Sequence, residues 1–285
     1  MYLFMYLYVS DGERKHLALS GIFFGLGAAS KWTCIYSGAG LAVIWLAHWI
    51  IELKNGKGFW AFIKNCMFCV VFFVIIPAAI YYVSYFAYGT ALGMKMPEMF
   101  FSKDYAKTVL GNQSFMLNYH KGVDSEHPYS SRWYMWIFDI RPILYYLQYF
   151  DNGTRSSFGA FVNPALCWGG LVAMFVMGYL TLVRRDRVSA FILIGYLAQL
   201  VPWMFITRTT FEYHYFQASV FLVLALCRVF SLMYENGESC RSAGTVGYTA
   251  LCMLLFVMFY PVLSGKSVNA ELAGDLLKWL PSWPF

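Results

Sequence analysis

"FWAFIKNCMFCVVFFVIIPAAIYYVSYFAY", residues 59–88, holds a single charge, Lys64, in a run of apolar and aromatic side chains. A helix needs about 20 apolar residues to cross the ~30 Å hydrocarbon core of a bilayer. This run is long enough. Its continuity argues for a helix and against a barrel strand, where apolar and polar residues alternate. Pro77 is a candidate kink. Upstream, residues 17–51 form a second apolar stretch, broken by "SKWT" (30–33) and read as two short helices meeting at Lys31. Downstream come four more apolar runs: 158–183, 188–206, 213–233 and 246–263. "MYLFMYLYVS" (1–10) is too short to span and lacks a basic leader. It reads as the end of a span that begins earlier, and the chain is expected to be a fragment.

Composition agrees. Hydrophobic residues make up 60% of the chain, aromatics 20%, and charged residues only 13%, about half the usual quarter. The expected class is an all-α, polytopic integral membrane protein with about seven complete transmembrane helices. Residues 1–285 form a single transmembrane domain, interrupted at 90–157 by a long outer-face loop with short amphipathic helices. The net charge of +6 gives no nucleic-acid signal, because the basic residues fall in short clusters between apolar runs. "DGERKH" (11–16), "ELKNGKG" (52–58) and "RRDR" (184–187) are all cytoplasmic if residues 17–51 cross twice. Lys31, the long loop and the Arg208 turn then share the outer face. The loop, with seven Lys or Arg and six Asp or Glu, is nearly neutral. Cys66 and Cys69 form a lone CxxC with no second pair or nearby histidine, so packing outweighs metal or redox chemistry, and no metal site is expected.

Several residues suit an anionic or sugar ligand. Arg208 keeps its proton at any workable pH and can fork two N–H donors toward a phosphate; the alternative is an arginine snorkelling to lipid headgroups. His214 lies six residues on, as a structural hydrogen-bonder or a pocket residue. Glu212 reads as a solvated loop residue. Lys31, beside Trp32, is an interface lysine or a second outer-face cation. "HPYSSRWYMWIFDIRPILYY" (127–146) combines His127, Arg132, Asp139 and Arg141 with seven Phe, Tyr or Trp rings. It is an amphipathic cover or the wall of a sugar pocket. "GIFFG" (21–25) fits close helix packing, and Asn112 and Asn152 head glycosylation tripeptides. A transporter would keep ionisable residues near mid-membrane; here they lie at the ends of the runs.

"GLGAASKWTCIY" (25–36), "MLNYHKGVDSEHPYSSRWYMW" (116–136), "RPILYY" (141–146), "NPALCWGG" (163–170) and "RTTFEYHYF" (208–216) occur in one order. In that order the chain, from about residue 17 to 285, resembles the protein O-mannosyltransferase family, phospholipid-carrier-dependent glycosyltransferases of GT-C type, and its bacterial members most of all. The resemblance implies transfer of a sugar, typically mannose, from a polyprenyl-phosphate carrier to Ser or Thr hydroxyls of exported proteins, on the outer face of a bacterial plasma membrane. The implied partners are the bilayer, the lipid-linked donor, the acceptor protein, and the missing amino-terminal part or a second copy. Nucleic acid is not among them, and the lipid-linked sugar is the donor substrate with no further cofactor implied. Arg208 is then the residue that holds the carrier phosphate, with His214, Tyr213 and Tyr215 shaping the pocket and Lys31, Arg141 and His127 completing it. Ile137 follows Trp136 where the family has proline. The family's Asp-Glu pair lies upstream of the Lys31 motif and is absent, which leaves the catalytic base unassigned. The chain is accordingly expected to be inactive alone, with Asp139 or Glu212 as the fallback carboxylate. A non-catalytic membrane partner of such an enzyme is the competing reading.

Overall fold

The structure, a computed structural model, describes residues 1–122, 127–235 and 241–285. Among them, six helices are long and apolar enough to cross a membrane: Cys34–Lys54, Phe59–Ala91, Ala165–Leu182, Arg187–Phe205, Glu212–Tyr234 and Ala243–Ser264. The chain is a polytopic helical membrane protein. The expected seventh crossing corresponds to α2 (Arg14–Ser30), whose 17 residues rise about 25 Å at 1.5 Å per residue. Contacts group the chain into two compact units, Met1–Val123 and Asp124–Phe285.

The first unit holds α1 (Tyr2–Asp11), α2 and α3 (Cys34–Lys54), with the chain broken at Lys31 as its sequence suggests. The long run then forms α4 (Phe59–Val70), a π-helical turn (Val71–Ile75), α5 (Ile76–Ser84) and α6 (Phe86–Ala91). Pro77 has no N–H for the helix ladder, and the π turn just before it absorbs the mismatch. "GIFFG" is the seam of this unit. A Cβ on Gly21 would sit 2.2 Å from the Phe72 carbonyl oxygen, and one on Gly25 would sit 2.8 Å from Pro77 Cα. The motif therefore packs α2 against its own chain. Gly21→Val is expected to destabilise the protein by about 1–3 kcal/mol through overpacking against backbone. Gly111→Val, at a position open to space, is the control, and thermal melting in detergent reads the difference.

The long loop begins in this unit as α7 (Lys103–Gly122). Tyr105, fully buried, anchors it by donating from its hydroxyl to the Tyr82 carbonyl at 2.9 Å. Asn112 lies inside α7, and the motif residues 123–126 lie outside the described residues.

The second unit contains α8 (Trp133–Trp136), β1 (Ile143–Tyr149), β2 (Thr154–Ala160), α9 (Gly170–Leu182), α10 (Arg187–Leu200), α11 (Phe216–Glu235), α12 (Arg241–Ser264), β3 (Val268–Asn269) and α13 (Ala270–Leu277). Helices α9, α10 and α11 pack together, and α12 packs on β2. The strands form an antiparallel sheet in the order β1-β2-β3, an addition to the helical class that the sequence reading lacks. Asn152 sits in the exposed β1–β2 turn, where Gly153 takes φ +75°. The strand claims Phe158, Gly159 and Ala160, which the hydropathy reading assigns to a span. Helical structure starts later because Asn163 Oδ1 accepts from the Ala165 N–H at 3.1 Å and Pro164 cannot extend the ladder.

The end of the chain packs inward. Trp283 and Phe285 are fully buried with Leu144, Phe161, Phe259 and Val262. At the start of α10, Asp186 accepts from the Ser189 N–H at 2.9 Å and pairs with Arg228 at 3.1 Å, tying α10 to α11.

Candidate functional site

In the second unit, the segment 127–141 docks on the turn 206–216. Ser131 N–H donates to the Thr210 carbonyl at 2.9 Å, and Thr210 Oγ1 donates back to the Ser131 carbonyl at 2.7 Å. Arg132 Nη1 donates to the Thr207 carbonyl at 2.7 Å, and Arg141 Nη2 to that of Pro128. Those at Thr207 and Thr210 occupy backbone groups that the turn between two 3₁₀ segments, Val201–Phe205 and Glu212–Tyr215, would otherwise leave unpaired.

Trp136 is the hub. It is 1% exposed, and its Nε1 donates to Ser131 Oγ at 2.9 Å. Its ring lies 5.6 Å from Trp203 and 5.9 Å from His214, stacked on the latter. The His214 ring also contacts Trp203 at 4.3 Å and Tyr213 at 4.2 Å. His214 Nδ1 lies 2.8 Å from the Phe211 carbonyl oxygen. The Phe211 N–H also points at Nδ1, at 3.3 Å, so the two contacts to Phe211 ask for opposite states of that nitrogen. From His214 a file of rings runs outward. Tyr213 stacks near Phe211 at 5.8 Å, and Phe211 meets the edge of the exposed His127 at 5.0 Å.

Arg208 is half-buried in the same turn. Its Nη1 donates to the Thr209 carbonyl at 3.1 Å, one of five N–H donors. Three other sequence candidates stand differently. Arg141 fastens the His127 segment through Pro128. Tyr215 is 1% exposed and bonds the Tyr196 hydroxyl at 2.8 Å, bracing α10 against the 3₁₀ segment Glu212–Tyr215 that leads into α11. Lys31 is exposed at the end of α2 in the first unit. Next to it, Trp32 Nε1 donates to Tyr81 Oη at 2.7 Å, and Tyr81 donates to Gln113 of α7 at 2.8 Å.

Glu212 corrects the sequence reading. It is fully buried, as is Asp139, and neither is a solvated loop residue. Their four carboxyl oxygens are sealed from water and receive no well-formed hydrogen bond from donors of the described chain. Burial pushes the Asp139 carboxyl up to about 6. Asp139 takes φ +54°, a left-handed conformation that Asp tolerates. Trp168 Nε1 and Trp283 Nε1 hold the turn by donating to the Phe138 and Asp139 carbonyls at 3.0 and 2.7 Å. With no exposure, neither acid reaches an acceptor hydroxyl in this arrangement, which argues against either as the fallback base. Two acids in an aromatic setting were the available signal. Their shared burial, 73 positions apart, was not.

Apolar helices of crossing length define a polytopic membrane protein, with a ring-lined turn that carries Arg208 in its second unit. Residues 105–283 match the model of the C-terminal four-transmembrane region of protein O-mannosyltransferase, and the chain belongs to that family. It is 25% identical to the polyprenol-phosphate-mannose–protein mannosyltransferase of Mycobacterium tuberculosis, covering 93% of this chain and 56% of that protein. The enzyme of the same name from Mycolicibacterium smegmatis is 27% identical over 93% of this chain and 57% of its own length. The chain thus spans a little over half the length of these curated relatives. Its fold resembles the Saccharomyces cerevisiae protein O-mannosyltransferase Pmt1-Pmt2 complex bound to the sugar donor, with TM-score 0.54 and 18% identity, covering 65% of this chain and 27% of that one.

Proposed function

We propose that this chain supplies the carrier-phosphate side of a mannosyltransferase site. The reaction moves mannose from a polyprenyl-phosphate carrier to Ser or Thr hydroxyls of exported proteins, at the outer face of a bacterial plasma membrane. As the sugar–phosphate bond breaks, the leaving phosphate gains negative charge, which fixed cations stabilise more in the transition state than in the ground state. Arg208 is that cation; Lys31, exposed in the first unit, is a separate candidate for anion contact in this reading. His127, Phe211, Tyr213 and His214 offer aromatic faces on which sugar C–H surfaces pack. Arg141 acts through Pro128 by fixing the position of His127. The partners are the bilayer, the lipid-linked donor, the acceptor protein, and either the amino-terminal remainder of the relatives' length or a second copy.

The observation that carries this reading is the docking of residues 127–141 on the Arg208 turn, which gathers cations and rings at one place in a chain of the mannosyltransferase family. The test is an assay of the full-length protein with labelled polyprenyl-phosphate mannose and a Ser/Thr peptide. Labelled peptide is the expected result, and its absence from well-folded protein would sink the reading. Orientation has its own test. Single cysteines at 31 and 208 are expected to react with an impermeant maleimide from outside intact cells, and labelling of either from the cytoplasmic side overturns the outer-face placement.

A further inference from the structure

Arg155 stands in β2, in the sheet that follows the docked segment, and the chemistry proposed above does not use it. It is 7% exposed, and its Nε and Nη2 are sealed from water with no hydrogen-bond partner among the described residues. A guanidinium keeps its charge at any workable pH, so it cannot escape burial by losing a proton. Nor does Arg155 snorkel, since a snorkelling arginine keeps its head in water. Alternation along the strand puts it on one face with Ser157 and Gly159. A Cβ on Gly159 would lie 3.5 Å from Phe285 and 3.6 Å from Val262, so that face turns toward the apolar cluster under the sheet, whose side chains offer no strong acceptor. The acids of neighbouring elements, Asp151 in the hairpin turn and Glu271 and Asp275 in α13, are exposed. Among the described residues, no ion pair joins an acid to Arg155.

A buried charge is strongly unfavourable until a counter-charge offsets it. We infer that Arg155 holds a phosphate oxyanion, with the buried Ser157 hydroxyl as a second donor on the same face. A guanidinium and a hydroxyl present donors to an oxyanion, and a phosphate accepts from both. The position suits it as well. Consecutive crossings by α9, α10, α11 and α12 bring the start of α9, the end of α12 and the Arg208 turn to one edge of the membrane, and the sheet lies between the first two in sequence. Across the ladder from Arg155 stands Tyr149, 63% exposed, with the exposed Phe150 next to it. Open rings beside a buried charge fit a phosphate carried on an amphiphile, such as an anionic lipid headgroup. A free phosphate shares the same chemistry.

The experiment has two arms, both on the full-length protein carrying Arg208→Ala so that the Arg208 turn adds no phosphate binding of its own. In the first, radiolabelled inorganic phosphate is titrated in detergent against chloride at constant ionic strength. In the second, the protein is taken from phosphatidylglycerol vesicles and its retained lipids are counted by native mass spectrometry. Arg155→Met keeps the side chain's length without its charge. It should weaken phosphate binding about 10–100-fold, the scale of one lost hydrogen bond to a charged group, or retain one lipid fewer. Arg155→Lys keeps the charge without the fork and should fall between, which keeps the test decisive if the methionine variant does not fold. Binding of inorganic phosphate identifies a free anion as sufficient; a lost lipid without it identifies a headgroup. Uptake of neither, or uptake of both unchanged by substitution at 155, overturns the proposal. Arg155 lies outside the Arg208 turn, so either result leaves the transfer reading to its own assay.

Discussion

Arg208→Ala lowers mannose transfer by the full-length protein about 10²–10³-fold, or about 2.7–4 kcal/mol of transition-state stabilisation, the scale seen when one charge-stabilising donor is deleted. The effect is expected in kcat, because the phosphate carries more charge as it leaves than when bound. The protein should remain folded. Arg208 is half-buried and its bond to Thr209 lies within its own turn, so truncation leaves no buried partner unsatisfied. Arg208→Lys restores the charge without the planar fork and should recover only part of the rate. His214→Ala is expected to be milder, since His214 contributes rings and a turn bond, not charge. Initial rates at saturating acceptor, with melting temperature measured alongside, decide the matter. A near-normal rate for Arg208→Ala would make the residue a lipid-headgroup anchor.

Trp136→Ala is expected to cost about 3–5 kcal/mol of stability, the range for truncating a buried large aromatic. The indole is fully enclosed, touches Trp203 and His214, and holds Ser131 through Nε1. Its loss opens a cavity under the docked segment and unpairs the Ser131 hydroxyl. Transfer should fall with stability, because the His127–Arg141 segment is then no longer held to the Arg208 turn. Trp136→Phe keeps most of the ring and loses only the Nε1 bond, so its penalty should be far smaller. Equal melting temperatures for Trp136→Ala and wild type would show that the segment is held by its backbone bonds alone.

Much of the helical architecture was legible before any coordinates. Crossing a bilayer demands continuous apolar runs, so composition and run length locate the spans directly. The break at Lys31, the long run at 59–88 and the last two spans come from that constraint. The pairing "GIFFG" makes was not legible, because a small-residue motif states that something approaches closely and does not say what. Nor was the sheet. Residues 143–149 are aromatic and apolar enough for either strand or interface helix, and strand formation depends on a partner, here residues 154–160, that local pattern does not specify.

The site divides in the same way. Residue type alone made Arg208 a phosphate candidate, since a guanidinium is always charged and planar wherever it stands. Burial and distance decided the rest. Tyr215, offered as a pocket residue, turns inward to Tyr196, and Glu212, taken for a solvated acid, lies sealed from water. The sequence by itself determined which residues cross the membrane and which could carry charge to its edge, because those properties belong to the side chains. Only tertiary structure decided which of them meet. The burial of Asp139 depends on a docked loop, a left-handed turn and a tryptophan at position 283 holding that turn in place.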